Sequence, residues 1–575
     1  MKKIYQFLCA ICVVFGFTAC ADMLETDSNL VEYEKDNTLN HPTDSVYSVL
    51  GIINKIQVIA DRMVLLGEVR GDLVTTTNVA SSDLKRLADF ELSQDNKYNQ
   101  VSDYYAVINN CNYYLAHVDT AMQRRGRQVF KEEYAAVKAF RAWTYLQLVK
   151  AYGKVPLVLT PMMTEREARD AMNRQYSDIK EVCNTFIDDL TPYADVDLPD
   201  FGTINSTNSQ YFFIPMKALL GDLCLWAEKY QDAARWYHEF LNDREAPVMT
   251  VAGNSIQWAS VSTFDANSIS DAYSIWRSSD DYRSNEILSY IPMESEAFHG
   301  NVSDLTNLFC STTNNNYYNQ LTPSRGMYNL SAEQVYCIKY QTATSTTPDT
   351  VYAPTSGLFN EAFHGDLRFY SNFRETAVSG KDSYSERSSV HQTIYKFRSE
   401  GIVIYRSPIV YLHYAEALNR AGYPQSAFAV LKYGLCQDNL KQAVDTAEQR
   451  AAGDLIKFST AVFNYDNTRG IHSRGSGDSE CNAHYVMPMP SVAKSSRQDT
   501  IDYQIPLVED LIVNEMALEG AFEGNRFYDL LRVASRSGRT ASYLADRVAC
   551  RNGKKDAALH TKLMDKNNWF LPLPQ

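Results

Sequence analysis

The amino-acid sequence predicts a mainly α-helical protein in which four degenerate tetratricopeptide-like helix hairpins form a scaffold with a large irregular, loop-rich insert. Three observations predict it. Apolar residues recur at helical spacing in four separated stretches. Alanine concentrates in those stretches where two helices must approach closely, so that stacked pairs bury faces no single pair can bury. Between the second and third stretches, residues 245–400 lose the helical period and fill with Ser, Thr, Asn and Pro. The expected division is a leader at 1–20, a helical part at 21–244, the insert at 245–400, and C-terminal helices with a tail at 401–575.

In 131–153, Ala135, Ala139, Ala142, Leu146 and Val149 recur at steps of 4, 3, 4 and 3, one face of a helix that Gly153 and Pro156 stop. Segment 215–241 opens at Pro215 and carries Leu219, Leu223, Trp226 and Tyr230. A break at "QD" then precedes a second helix through Ala233, Ala234 and Tyr237. In 407–421, Ser407 is the expected N-cap, Pro408 the first helical residue and Gly422 the stop, with a second helix near 424–435. The last stretch, "EMALEGAFEGNRFYDLLR" at 515–532, places Gly524 between two apolar helical runs, with Asn525 as cap of the second. Within the insert, "STTNNNYYNQLTPS" and "TATSTTPDTVYAPTSG" read as loops. "EAFHG" at 296–300 and 361–365 has unmatched flanks and reads as two glycine-capped helix ends.

The 575 residues are 45% hydrophobic and 22% charged, an ordinary globular balance with room for more than one lobe. A net charge of −14 and the lack of a basic stripe argue against nucleic acid, whose phosphates demand clustered Lys and Arg. Lys2 and Lys3 precede an apolar run over 4–19 that is short for a membrane span and suits a secretory signal. The run ends in "FTAC", which resembles a bacterial lipobox with Phe17 in place of the usual Leu, so Cys20 is the expected lipidation site. Two acyl chains anchor stably where one does not. Cys9 and Cys12 form a CxxC inside the leader, which argues against redox use. The eight cysteines after Cys20 are scattered and read mostly as small buried hydrophobes.

Motifs for phosphate loops, zinc proteases, serine hydrolases and calcium hands are missing from the sequence, and no cofactor or metal is expected. His299 and His364 lack partners at metal-ligand spacing, and His413 reads as a hydrogen-bonded interior histidine. The aromatic content points elsewhere, because sugar rings stack their C–H faces on Trp and Tyr while their hydroxyls bond to polar side chains. Trp258, Trp276, Tyr282, Tyr317 and Tyr318 lie in loop-like context and are candidate ligand contacts. Trp143, Trp226 and Trp236 fall in helices and read as core.

Three stretches together resemble the SusD/RagB family of Bacteroidetes outer-membrane lipoproteins: "RAWTYLQLVKAYGKVPLVL" at 141–159, "YRSPIVYLHYAEALNRAG" at 405–422, and the 515–532 stretch. The closing "NNWFLPLPQ" is similar to the family's C-terminus. Met516, Gly520 and Pro408 depart from the usual pattern. The resemblance implies a non-catalytic protein at the cell surface that captures glycan and delivers it to a SusC-like TonB-dependent transporter. A RagB-like peptide-binding role is the alternative. Ligand contacts are then expected from roughly 67–100 and from 245–400. "GEVRGDLV" at 67–74 is similar to a family stretch near that surface, which makes Arg70, Asp72 and Asn78 candidates, with Asp72 more often structural. Arg368, in "HGDLRFY", is a further candidate and an expected partner of Asp366.

Glu515, Glu519 and Glu523 follow one another at four-residue steps, roughly 5–6 Å apart on a helix. Carboxylates about 5 Å apart also serve retaining glycosidases. The like charges need cationic partners, for which Arg526 and Arg532 are nearest in sequence, and the three glutamates read as scaffold rather than as an active site.

Overall fold

The computed structural model describes residues 41–204, 207–243, 286–293, 300–310, 318–334, 401–464, 470–476, 484–536 and 538–573. It also describes Leu39, Asp366, Arg368, Lys396 and the strands within 337–394. The leader with Cys20, residues 296–299 and 361–365 of the two "EAFHG" stretches, and Trp258, Trp276, Tyr282 and Tyr317 lie outside these residues.

Among the described residues, ten helices carry the scaffold: α1 (Pro42–Glu68), α2 (Val101–His117), α3 (Lys131–Tyr152), α4 (Ile179–Leu190) and α5 (Met216–Trp226), followed by α6 (Tyr230–Asn242), α7 (Ser407–Arg420), α8 (Pro424–Tyr433), α9 (Arg497–Glu519) and α10 (Arg526–Ser535). Each packs on the next from α2 to α8. Helix α9 then packs on α7 and α10, and α1 returns against α2 and α10. The tetratricopeptide-like hairpins α2/α3, α5/α6, α7/α8 and α9/α10 thus form one stack that α1 closes. From Ala135 to Tyr152 every residue of α3 is buried, including Lys138, Arg141 and Lys150. A helix buried on all sides is central, and this one exceeds the single apolar face its periodicity predicts.

Two close approaches fix the stack. A Cβ added at Gly221 of α5 would lie 2.4 Å from the Tyr237 ring of α6. A Cβ at Gly67 of α1 would lie 1.7 Å from the Gly524 carbonyl oxygen in the turn between α9 and α10. The boundaries differ from expectation by small steps. The break before α6 falls at 227–229, where Glu228 has φ +61°, rather than at "QD". Arg406, not Ser407, is the N-cap of α7. Helix α9 ends at Glu519, with Gly520 as its C-cap, so Glu523 sits in the turn; Gly524 there has φ +91°.

Short strands form antiparallel pairs: β1 (Val74–Thr76) with β7 (Leu321–Pro323) and β6 (Ile287–Pro292) with β8 (Gly401–Arg406) tie distant segments together, while β2 (Gln123–Arg124) with β3 (Arg127–Gln128) and β4 (Lys154–Pro156) with β5 (Tyr176–Asp178) join near neighbours. Phe373–Asp382 and Ser385–Ile394 form a further hairpin. Cys111, Cys183, Cys224 and Cys436 are buried, as small apolar residues are, while Cys550 is exposed. Trp143, Trp226 and Trp236 are core residues. Among the described residues, no helix is long and apolar enough to cross a membrane.

Candidate functional site

The three glutamates find their cations far away in sequence. Glu515 accepts from Arg368 at 2.8 Å and from His472 Nδ1 at 2.7 Å. Glu519 accepts from Arg406 at 2.6 Å, with Arg368 at 3.4 Å and Arg474 at 3.5 Å. Glu523 pairs with Arg406 at 2.7 Å and with Lys396. Arg526 and Arg532, the partners expected from proximity in sequence, are engaged elsewhere. Arg526 binds Asp72, and Arg532 binds Glu416 and Asp529. Burial pushes the Glu515 carboxyl up, but Arg368 and His472 outweigh it and hold the group at about 2. The same contest lowers Glu519 and Glu523. A glycosidase needs one carboxyl still protonated at working pH. This cluster offers three depressed carboxylates, two of them no more than 1% exposed, and it reads as an interior brace.

The same physics relocates three expected ligand contacts. Arg70 is fully buried and donates to the carbonyls of Leu66 at 2.8 Å and Trp569 at 2.9 Å, and to the Tyr528 hydroxyl at 3.1 Å. Asp72 accepts both arms of Arg526 at 2.5 and 2.8 Å, which outweighs its burial and lowers its pKa. Arg368, also 0% exposed, is held by Asp366 at 2.8 Å and by Glu515. All three are buried and engaged by partners within the fold. "GEVRGD" instead fastens the first helix to the last pair. His413 Nδ1 lies 2.8 Å from Asp222, the hydrogen-bonded interior role expected of it.

Asn78 and Tyr318 have a different setting. The segments that carry them are stitched by β1 and β7, and Thr77 extends the seam. Its N–H donates to the Gln320 carbonyl at 2.9 Å, and its hydroxyl donates to the Asn319 carbonyl at 3.0 Å. The Ser81 N–H donates to Gln320 Oε1 at 2.8 Å. Asn78 is exposed and Tyr318 half-buried, each one residue away from the Thr77–Asn319 bond. The two segments expected to hold ligand therefore meet here.

A second feature was not expected. An open groove of about 540 Å³ runs where the C-terminal tail crosses the end of α3, lined by Tyr152, Tyr176, Phe570, Lys154, Asn567 and Asn568, with Phe90 and Leu92 at one side. The tail is held by the Leu571 N–H on the Ala151 carbonyl at 2.9 Å and by Asn99 Nδ2 on the Pro572 carbonyl at 3.0 Å. Gly153, φ +77°, lets the Phe570 ring lie against the backbone; a Cβ there would come within 2.8 Å of the ring. Tyr176 is 36% exposed, and Lys154 and Asn567 are exposed. Rings beside amide and ammonium donors, in a cavity of this size, match what a small polar ligand with apolar faces needs. The groove draws on residues near 90, 153, 176 and 570, a coincidence that local motifs do not reveal. The tail's likeness to a family terminus was the one available signal.

Residues 384–575 match the model of the SusD family. Solved structures with a similar fold include a SusD superfamily protein from Bacteroides thetaiotaomicron VPI-5482 (14% identity, 92% of this chain and 99% of that one, TM-score 0.53). Another is surface glycan-binding protein A from Bacteroides uniformis (13%, 92% and 96%, TM-score 0.53). A third is a putative sugar binding protein from Bacteroides vulgatus ATCC 8482 (15%, 86% and 87%, TM-score 0.52). Among curated proteins, none matches the sequence.

Proposed function

We propose that this chain, whose residues 384–575 match the SusD family model and whose fold is similar to that of SusD superfamily structures, is a non-catalytic, cell-surface glycan-binding lipoprotein. It captures oligo- or polysaccharide and passes it to a SusC-like TonB-dependent transporter in the outer membrane, to which acyl chains on Cys20 anchor it. The observation that carries the binding reading is the open groove beside Tyr176, Phe570, Asn567 and Lys154. Its rings suit the apolar faces of pyranoses and its polar groups suit their hydroxyls. The Asn78–Tyr318 seam adds a second contact surface, and Trp258, Trp276, Tyr282 and Tyr317 of the insert remain proposed contributors. The non-catalytic reading is supported by the cation-saturated glutamates.

Incubation with end-labelled oligosaccharides tests it. The account expects retention of the label on the protein with the oligosaccharide intact. Release of shorter products, lost in Glu519→Gln, would overturn the non-catalytic reading.

A further inference from the structure

The densest cationic run in this acidic chain is "RRGR" at 124–127, an exception to the lack of a basic stripe. Folding places it at the tip of the β2–β3 hairpin. Arg125 and Gly126 have φ +54° and +78°, the two positive values that a type I′ turn requires. Arg124 and Arg127 are directly paired across the ribbon, and like charges so placed destabilise it. A non-glycine residue with positive φ is a further cost. All three arginines are exposed, and none meets a carboxylate among the described residues. The nearest acids in sequence do not answer them. The Asp119 carboxylate accepts the Ala121 N–H at 2.9 Å, and Glu132 and Glu133 begin α3 beside Lys131. The fold thus holds three cations together at a cost and gains no internal contact in return.

The hairpin's position supplies the second observation. Leu39 enters the body at the hairpin's base. Its N–H donates to the His117 carbonyl at 2.8 Å, and its own carbonyl accepts from the Asp119 N–H at 3.4 Å. Fully extended, the chain from Cys20 to Leu39 spans at most about 65 Å. A tether from a lipidated Cys20 therefore meets the protein beside the three arginines. We propose that the 123–128 hairpin docks on a phosphate-bearing lipid headgroup surface, turning the tethered body so that this face lies against the membrane. Guanidinium groups pair bidentately with phosphate oxygens, and screening confines the attraction to about 8 Å in physiological salt. The lipid-anchor reading is used only to say why a membrane is close.

The test uses the full chain carrying Cys20→Ala, so that no acyl chain contributes, with or without Arg124→Gln, Arg125→Gln and Arg127→Gln. Co-sedimentation is compared on phosphatidylglycerol–phosphatidylcholine vesicles and on phosphatidylcholine alone. The parent is expected to partition preferentially to the anionic vesicles, and the triple variant to lose on the order of a hundredfold of that preference. The substituted side chains are exposed, and unchanged circular dichroism separates loss of binding from loss of fold. Equal partitioning on the two vesicle types, or an unchanged triple variant, would overturn the proposal. So would competition by inorganic phosphate beyond that of chloride at equal ionic strength, which would make free phosphate the ligand. The acidic run at 22–36 is the other occupant available to the hairpin. Anionic-vesicle binding that appears only after Glu25, Asp27, Glu32 and Glu34 are changed to Gln or Asn would assign the hairpin to that run and overturn the membrane reading. None of these outcomes bears on glycan affinity.

Discussion

Arg406 bridges the β8–α7 junction and the end of α9. Its Nη1 lies 2.6 Å from the Glu519 carboxylate, and its Nη2 donates to the Glu519 carbonyl at 2.7 Å and to Glu523 at 2.7 Å. One guanidinium thus joins the start of α7 to the last helix pair. Removing one member of such a buried set leaves the others uncompensated, at a cost of about 3–5 kcal/mol. Arg406→Leu is accordingly expected to shift the urea midpoint sharply downward.

The carboxylates of this brace make the fold acid-sensitive. Glu515 falls from its ordinary 4.5 to about 2 in the folded chain. Its stabilisation is present above the unfolded value and disappears as pH falls through the folded one, so the window runs from about pH 5 to about pH 2, on the order of 3 kcal/mol. Glu416, held by Arg420 and Arg532 against its burial, is also lowered to about 2. Urea unfolding across this window is expected to show the gap between the parent and Glu515→Gln narrowing as pH drops.

Glu68 behaves in the opposite sense. Fully buried, it accepts the Gly524 N–H at 2.7 Å through one oxygen, and burial raises it to about 7. Its protonated form is favoured in the fold, so stability decreases as pH rises from the unfolded value through 7. Glu68→Gln keeps the accepting oxygen and removes the charge. It is expected to stabilise the protein above pH 7, by up to about 3 kcal/mol, and to change little near pH 4. Melting temperatures at the two pH values check this.

The contact between Gly67 and Gly524 leaves no room for a side chain. Gly67→Ala puts a methyl 1.7 Å from a backbone oxygen and forces α1 away from the α9–α10 turn. A loss of about 3 kcal/mol or more is expected in chemical unfolding. Gly51→Ala, in the same helix with open space around it, serves as the control.

Much of the scaffold was legible because helical period, proline starts and glycine stops are local signals. α3 and α7 follow directly from the Ala135–Val149 spacing and from Pro408 with Gly422, and α8 falls where the second helix near 424–435 was expected. The site was less legible because its determinants are not local. Arg70 and Arg368 carry the residue type a sugar site uses, yet each answers a partner 100 or more residues away: Trp569 for the first, Glu515 for the second. Glu523 was expected at the end of a helix, just before the next one begins; Gly520 ends that helix earlier, so Glu523 sits in the turn ahead of α10 and reaches Arg406. The groove forms only where Phe570 lies on Gly153, a meeting that no segment of the chain encodes alone.

The most direct test is isothermal titration of the purified protein against a broad panel of polysaccharides, alongside Tyr176→Ala. Loss of one stacking ring is worth about 0.5–1.5 kcal/mol, or roughly twofold to tenfold in affinity. The account predicts binding to at least one glycan and a loss of that size in the variant, with its melting temperature unchanged. Silence across the whole panel, or full affinity without the ring, would contradict it.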